Sequence, residues 1–262
     1  YIKEKGLLSE LAAAINRGSE KLMRQDCELR KKEAARANWI SGVSHDIRTP
    51  LSMVLGYAGQ LEENSTLSEE DRKKASIIQK QGLKIKNLIN DLNLSSKLEY
   101  NMQPLQPVPV NLVAVARKCA VDFINADLNG KYPLEWRTSD NLPPCIIQGD
   151  KNLLHRAVNN LLHNAQTHNP NGCHITLEVR NEEAQRCIIV SDDGVGITDE
   201  QLEKLRSTPH YMMSDHGTTE PRHGLGLLIV QQIMHTHGGT VLFDHGINRG
   251  FAVTMLFPKK IQ

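Results

Sequence analysis

The chain has 262 residues, 39% apolar and 23% charged, which excludes a collagen-like or disordered polymer and leaves room for one or two globular domains of roughly 150 residues each. Its 31 basic and 30 acidic side chains give a formal charge of +1, so no charge excess points to nucleic acid or an anionic membrane as partner. The longest wholly apolar runs, 11–15 and 112–116, fall far short of the about twenty residues a spanning helix needs. Five scattered cysteines (Cys27, Cys119, Cys145, Cys173, Cys187) without a C-x-x-C pair argue against a disulfide framework or a structural zinc and fit a reducing compartment. The chain opens at Tyr1 with no methionine or signal-peptide pattern. The expectation is a fragment whose only route to a membrane is a missing upstream segment.

Residues 1–19 read as an upstream helix or linker, although Gly6 and Gly18 each cost it about 1 kcal/mol. From 20 to 100, charges interleave with apolar residues at helical spacing. Ile40, Val43, Ile47, Leu51, Val54, Ala58 and Leu61 form one seam, and Ile78, Ile85, Leu88, Leu92 and Leu98 a second. Between them, Ser68 followed by Glu69, Glu70 and Asp71 is an N-cap with acids in the first turn, as the positive end of a helix favours. A helical hairpin results. Two helices cannot cover both seams, so the pattern predicts a homodimer forming a four-helix bundle.

Residues 101–109, with three prolines, read as a linker. A second domain, 110–262, follows with alternating texture. Helices are expected near 112–128, 151–168 and 224–237, and short strands near 134–137 and 145–148. Ile175, Leu177 and Val179 alternate with polar residues as in a half-buried strand, and the continuous run 187–190 suits a central one. Residues 239–243 and 251–257 close the domain as a hairpin. The fold class is multidomain α and α+β: a helical hairpin, then a two-layer α/β sandwich.

Four stretches carry chemistry. His45, in Ser44-His45-Asp46-Ile47-Arg48-Thr49-Pro50, lies about 200° around the helix from Val43 and Ile47 and is predicted to be solvent-accessible. Pro50 in a helix interior costs about 3 kcal/mol and should bend it. An imidazole beside Asp46 is a candidate nucleophile, although a lone helix histidine is more often inert. Asp192-Asp193-Gly194-Val195-Gly196 ends a buried strand. A carboxylate there can accept from an exocyclic amine while the glycines admit a planar ring, and the plain alternative is a strand-end turn. Gly224-Leu225-Gly226-Leu227 opens a helix whose free N–H groups suit phosphate. Asn160 and Asn164, four apart, share a helix face and offer amide oxygens to a hydrated Mg²⁺, unless they are surface filler.

Taken in chain order, the four stretches resemble the sensor histidine kinases of two-component signalling: 44–52 looks like the H box, 160–165 the N box, 192–196 the G1 box and 224–227 the G2 box. The resemblance implies a dimerisation and phosphotransfer hairpin joined to an ATP-binding domain of the gyrase, Hsp90 and MutL type (GHKL), in the cytoplasmic part of a membrane-anchored bacterial sensor. It implies ATP and Mg²⁺ as cofactors and a response-regulator receiver domain as partner. By the same resemblance His45 takes the γ-phosphoryl group, Asp46 is the base, and Thr49 positions water for dephosphorylation. Asn164 with Asn160 holds Mg²⁺, Asp192 reads the adenine amine, and Gly194, Gly196, Gly224, Leu225 and Gly226 close backbone around the nucleotide.

The sequence departs from the family where Thr167 and His168 replace a basic residue and tyrosine, and where Arg222 replaces a glycine. No phenylalanine-rich box stands between 200 and 211. Arg222 and His168 are carried as candidate nucleotide contacts, and 202–222 is expected to be a lid whose His210 and His216, with His223 beyond it, lack metal spacing. A kinase-dead scaffold or phosphatase, and a gyrase-like ATPase, stand as the alternative readings.

Overall fold

The computed structural model describes residues 9–100, 102, 105–138, 143–181, 185–207 and 225–258. The chain separates into two compact units, 1–102 and 103–262. Among the described residues no helix is long and apolar enough to cross a membrane.

The first unit is a hairpin of α1 (Ser9–Glu63) and α2 (Glu69–Glu99). Ser68 caps α2 as expected: its hydroxyl accepts the Asp71 N–H at 3.1 Å and donates to the Asp71 carboxylate at 2.7 Å. Ala37, Ser44 and Ala58 of α1 and Ala75 and Gly82 of α2 are buried. Such small residues let the helix backbones approach closely: a Cβ on Gly82 would come within 2.7 Å of Leu55 Cδ2. The expected α1 seam therefore divides. Leu51 and Ala58 turn inward, whereas Val43, Ile47, Val54 and Leu61 stay exposed, as do Ile78, Ile85 and Leu92 on α2. Helix α1 continues through Pro50 as a single element.

The second unit contains β1 (Val108–Asn111), α3 (Leu112–Ala126), β2 (Leu134–Thr138), β3 (Ile146–Gly149), α4 (Lys151–His168), β4 (Ile175–Asn181), β5 (Gln185–Asp192), α5 (Asp199–Ser207), α6 (Leu225–Thr236), β6 (Thr240–His245) and β7 (Phe251–Pro258). Five strands form one sheet in the order β2-β4-β5-β7-β6, parallel only between β2 and β4. The apolar run 187–190 lies on the central strand, as its composition predicts. Cross-strand partners Leu177, Val190, Val253 and Phe243 form one buried row on one face of the sheet. Against the sheet pack α3, α4 and α6, with Leu154, Leu162, Ile229 and Ile233 almost wholly buried. This is the two-layer sandwich.

Three elements differ from expectation. Val108–Asn111, at the end of the stretch read as linker, pair antiparallel with β3 as a separate two-stranded sheet. Pro109 is tolerated because the ribbon has only one partner strand. Residues 202–207, expected to belong to a lid, are the body of α5, with Leu202 and Leu205 buried. Its start is a reciprocal box in which Thr198 Oγ1 accepts the Gln201 N–H at 3.2 Å and Gln201 Oε1 accepts the Thr198 N–H at 2.9 Å. Helix α3 ends at Ala126 rather than 128, because the Asp127 carboxylate turns to accept the Tyr132 N–H at 2.6 Å.

Candidate functional site

On the hairpin, the His45 and Asp46 side chains are 76% and 85% exposed, with His45 Nδ1 3.5 Å from Asp46 Oδ1. That places a carboxylate on the Nδ1 side and leaves Nε2 as the nitrogen for a reaction partner. Thr49, one helical turn on, is also exposed. Beneath them Ser44 is buried, and Arg48 Nη2 donates to Asn90 Oδ1 of α2 at 3.1 Å, fixing the helices to each other one turn from His45.

In the second unit the site follows from strand parity. Successive side chains alternate faces, so Asp192 lies on the same face as Ile188 and Val190 and is buried at the end of β5. Burial pushes its carboxyl above the usual range, while donors from Gly194 N–H, the Asn169 amide and Phe251 N–H pull it back. Gly194 N–H reaches Oδ1 at 3.0 Å and Asn169 Nδ2 reaches the same oxygen at 3.2 Å. A desolvated carboxylate of this kind is suited to a ligand N–H that replaces the lost water.

The two glycines of this turn are required by the protein itself. A Cβ at Gly194 would overlap the Asn169 carboxamide. At Gly196, which has φ +67°, it would overlap the Arg249 carbonyl of the β6–β7 turn. That turn, residues 246–250, joins the strands of the closing hairpin expected from sequence, but its approach to Gly196 is not legible there. The signal of the turn itself is the Gly246 and Gly250 pair around Asn248 and Arg249, both at positive φ.

Helix α4 is capped by Asp150, whose carboxylate accepts from Asn152 and Leu153 N–H. Its apolar stripe, Leu154, Ala157, Val158, Leu161 and Ala165, turns to the sheet, which brings Asn160 and Asn164 together at the half-buried flank. Asn160 Nδ2 donates to the Gly226 carbonyl at 3.5 Å, tying α4 to the first turn of α6 and leaving Oδ1 as its remaining ligand atom. Among the described residues, a Cβ on Gly226 would meet nothing within 4 Å. Leu225 begins that helix, and His168 ends α4 half-buried. Thr167 is exposed and donates to the His163 carbonyl at 2.9 Å. Arg222, Gly224 and the histidines of 208–224 lie outside the described residues.

Sequence reasoning missed Asn169. It is buried at the C-cap of α4 and bonds Asp192. Its signal is local: Asn-Pro directly after a helical pattern marks a helix end.

The residues present fit a nucleotide with a hydrated divalent cation. Asp192 supplies a buried acceptor, the first turn of α6 meets no described atom at Gly226, and Asn160 and Asn164 supply neutral hard oxygens of the kind Mg²⁺ accepts alongside phosphate and water. Among the described residues no group of three or more His, Cys, Asp or Glu could hold a metal ion without such help.

Residues 35–101 match the His Kinase A (phospho-acceptor) domain, and residues 149–261 the histidine kinase-, DNA gyrase B- and HSP90-like ATPase. The chain is 27% identical over 253 residues to the sensor histidine kinase YvrG of Bacillus subtilis, covering 96% of this chain and 43% of that protein. It is 27% identical over 245 residues to the phosphate regulon sensor protein PhoR of Pseudomonas aeruginosa, covering 92% and 54%. The chain thus spans about half the length of these relatives or less. In fold it is similar to the crystal structure of full-length ShkA in complex with AMPPNP (TM-score 0.66, 24% identity, 84% of this chain and 45% of that one). With a phosphoacceptor hairpin followed by this ATPase fold, the chain belongs to the sensor histidine kinases and comprises their catalytic core.

Proposed function

We propose that this chain binds ATP in its second unit, autophosphorylates His45 and donates the phosphoryl group to an aspartate of a response-regulator receiver domain. The observation that carries this reading is the exposed His45 ring with Asp46 Oδ1 3.5 Å from Nδ1. The Nε2 lone pair attacks the γ-phosphorus, the bond to the bridging oxygen breaks, and ADP leaves with its electrons. The imidazolium so formed passes its Nδ1 proton to Asp46. Asp192 accepts from the adenine amine, and the start of α6 faces the phosphates. Asn160 and Asn164 hold the Mg²⁺, which neutralises phosphate charge when bound. Thr49, exposed one turn from His45, orients water when the same site works as a phosphatase.

The unpartnered apolar residues of both hairpin helices support a homodimer closed as a four-helix bundle. We assign 1–19 to an upstream signalling helix or linker, 20–100 to dimerisation and phosphotransfer, 101–109 to a linker and 110–262 to ATP binding. By likeness to the sensor histidine kinases, the chain works in the cytoplasm. Incubation with γ-labelled ATP and Mg²⁺ tests the assignment: an acid-labile label absent from His45→Gln supports it, and a normal level of label in that variant refutes it.

A second reading, a phosphatase or kinase-dead scaffold, is favoured by one observation. Thr167, where the family carries a cation, is bonded back to its own helix and offers phosphate no charge. Failure to bind ATP with Mg²⁺, with receiver-domain binding retained, selects that reading.

A further inference from the structure

Asn169 occupies a point where three elements meet. It is 3% exposed. Its Nδ2 donates to the Ala165 carbonyl at 2.9 Å and to Asp192 Oδ1 at 3.2 Å, while its Oδ1 accepts the Val195 N–H at 2.8 Å. This set fixes the amide orientation, because the reversed amide would set its oxygen against a carbonyl and a carboxylate and its NH₂ against an N–H. The backbone is equally constrained: the Asn169 carbonyl accepts from Tyr132 Oη at 3.1 Å and from Gly172 N–H at 2.9 Å. Gly194 lacks a side chain at the spot where Asn169 would otherwise be displaced. One buried carboxamide thus holds the rotamer of Asp192 and the path of the backbone just beyond it.

We infer that Asn169 is the positioning residue that sets adenine selectivity, by holding the Asp192 carboxylate in line with the exocyclic amine of the base. The inference rests on the reading of Asp192 as the adenine acceptor. An aligned carboxylate accepts from the 6-amino group of ATP and repels the 6-carbonyl of GTP. A carboxylate free to rotate loses the attraction and relieves the repulsion together. Asn169 itself touches no reacting atom.

The test is titration of the full chain with ATP and with GTP, in Mg²⁺, for wild type, Asn169→Ala, Asp192→Asn and the double variant. The expected result is an ATP affinity about ten-fold weaker in Asn169→Ala with GTP affinity unchanged or improved. The double variant should be no weaker for ATP than Asp192→Asn. Equal loss of both nucleotides in Asn169→Ala, no change in either, or additive losses in the double variant would overturn the role of Asn169. Wild-type ATP affinity in Asp192→Asn would instead overturn the underlying reading of Asp192. If Asn169→Ala melts below the assay temperature, Asn169→Ser, which keeps a short hydroxyl, is measured against the same ATP-to-GTP ratio and judged by the same outcomes.

Discussion

His237 Nε2 accepts the backbone N–H of Asp150 at 2.9 Å, while its Nδ1 lies 2.7 Å from the Ile233 carbonyl. The two contacts together require a neutral ring with its proton on Nδ1. The imidazole joins the end of α6 to the cap of α4, the helix that carries both candidate asparagines.

Stability should therefore fall with acidity. Burial outweighs the Ile233 carbonyl and Asp150, which act to raise it, and holds His237 below its ordinary value of 6.5; burial lowers His155 likewise. Below that value the unfolded chain takes up protons that the native one refuses, so stability present above it is lost as the pH falls toward the folded values. Asp192, held above its ordinary value by burial, works with the opposite sign and in a more acidic window. Urea midpoints should drop between pH 7.5 and 5.5, and drop less in His237→Gln; an identical drop in that variant contradicts the assignment.

Two glycines should respond in opposite ways. Gly196→Ala forces a side chain to φ +67° and into the Arg249 carbonyl, and should cost more than about 2 kcal/mol in thermal unfolding. Gly226→Ala meets no atom of the described residues and should leave stability unchanged or raise it by up to about 1 kcal/mol. The same change should weaken ATP binding measured by titration.

What the sequence makes legible is what depends on near neighbours along the chain. The Ser68 cap, the bounds of α4 and the burial of Asp192 each follow from spacing or alternation within a few residues. Strand β1 is hidden because Pro109 within it and Pro104 and Pro107 before it suggest a linker, and only its long-range pairing with β3 reveals it. The start of α5 was legible in principle from Thr198 and Gln201, but the lid expectation masked it. Asn169 could be read as a helix end and no more, since its bond to Asp192 joins residues 23 apart. The division of the α1 seam, with Leu51 inward and Ile47 outward, needs the angle of α2, which no single helix encodes.

Exposed Ile85 and Ile47 should be dimer contacts. Placing a charge in that stripe without a partner is costly when the stripe is buried. Ile85→Glu should halve the mass measured by sedimentation equilibrium at micromolar concentration while leaving helical circular dichroism largely intact. A dimer of wild-type strength would remove this stripe from the interface.

Pro50 denies the Asp46 carbonyl its helical N–H donor, directly beside His45. Pro50→Ala should raise the melting stability of the hairpin by up to about 3 kcal/mol. Unchanged or lowered stability would mean that the surrounding packing already compensates for the missing bond.

The most direct measurement of the central claim is peptide mapping by mass spectrometry under alkaline conditions, after brief reaction of the full chain with ATP and Mg²⁺. The account predicts a single phosphoryl group, on the imidazole at position 45. A modification on any other side chain, or none when a competent receiver domain is also absent from the mixture, would contradict it.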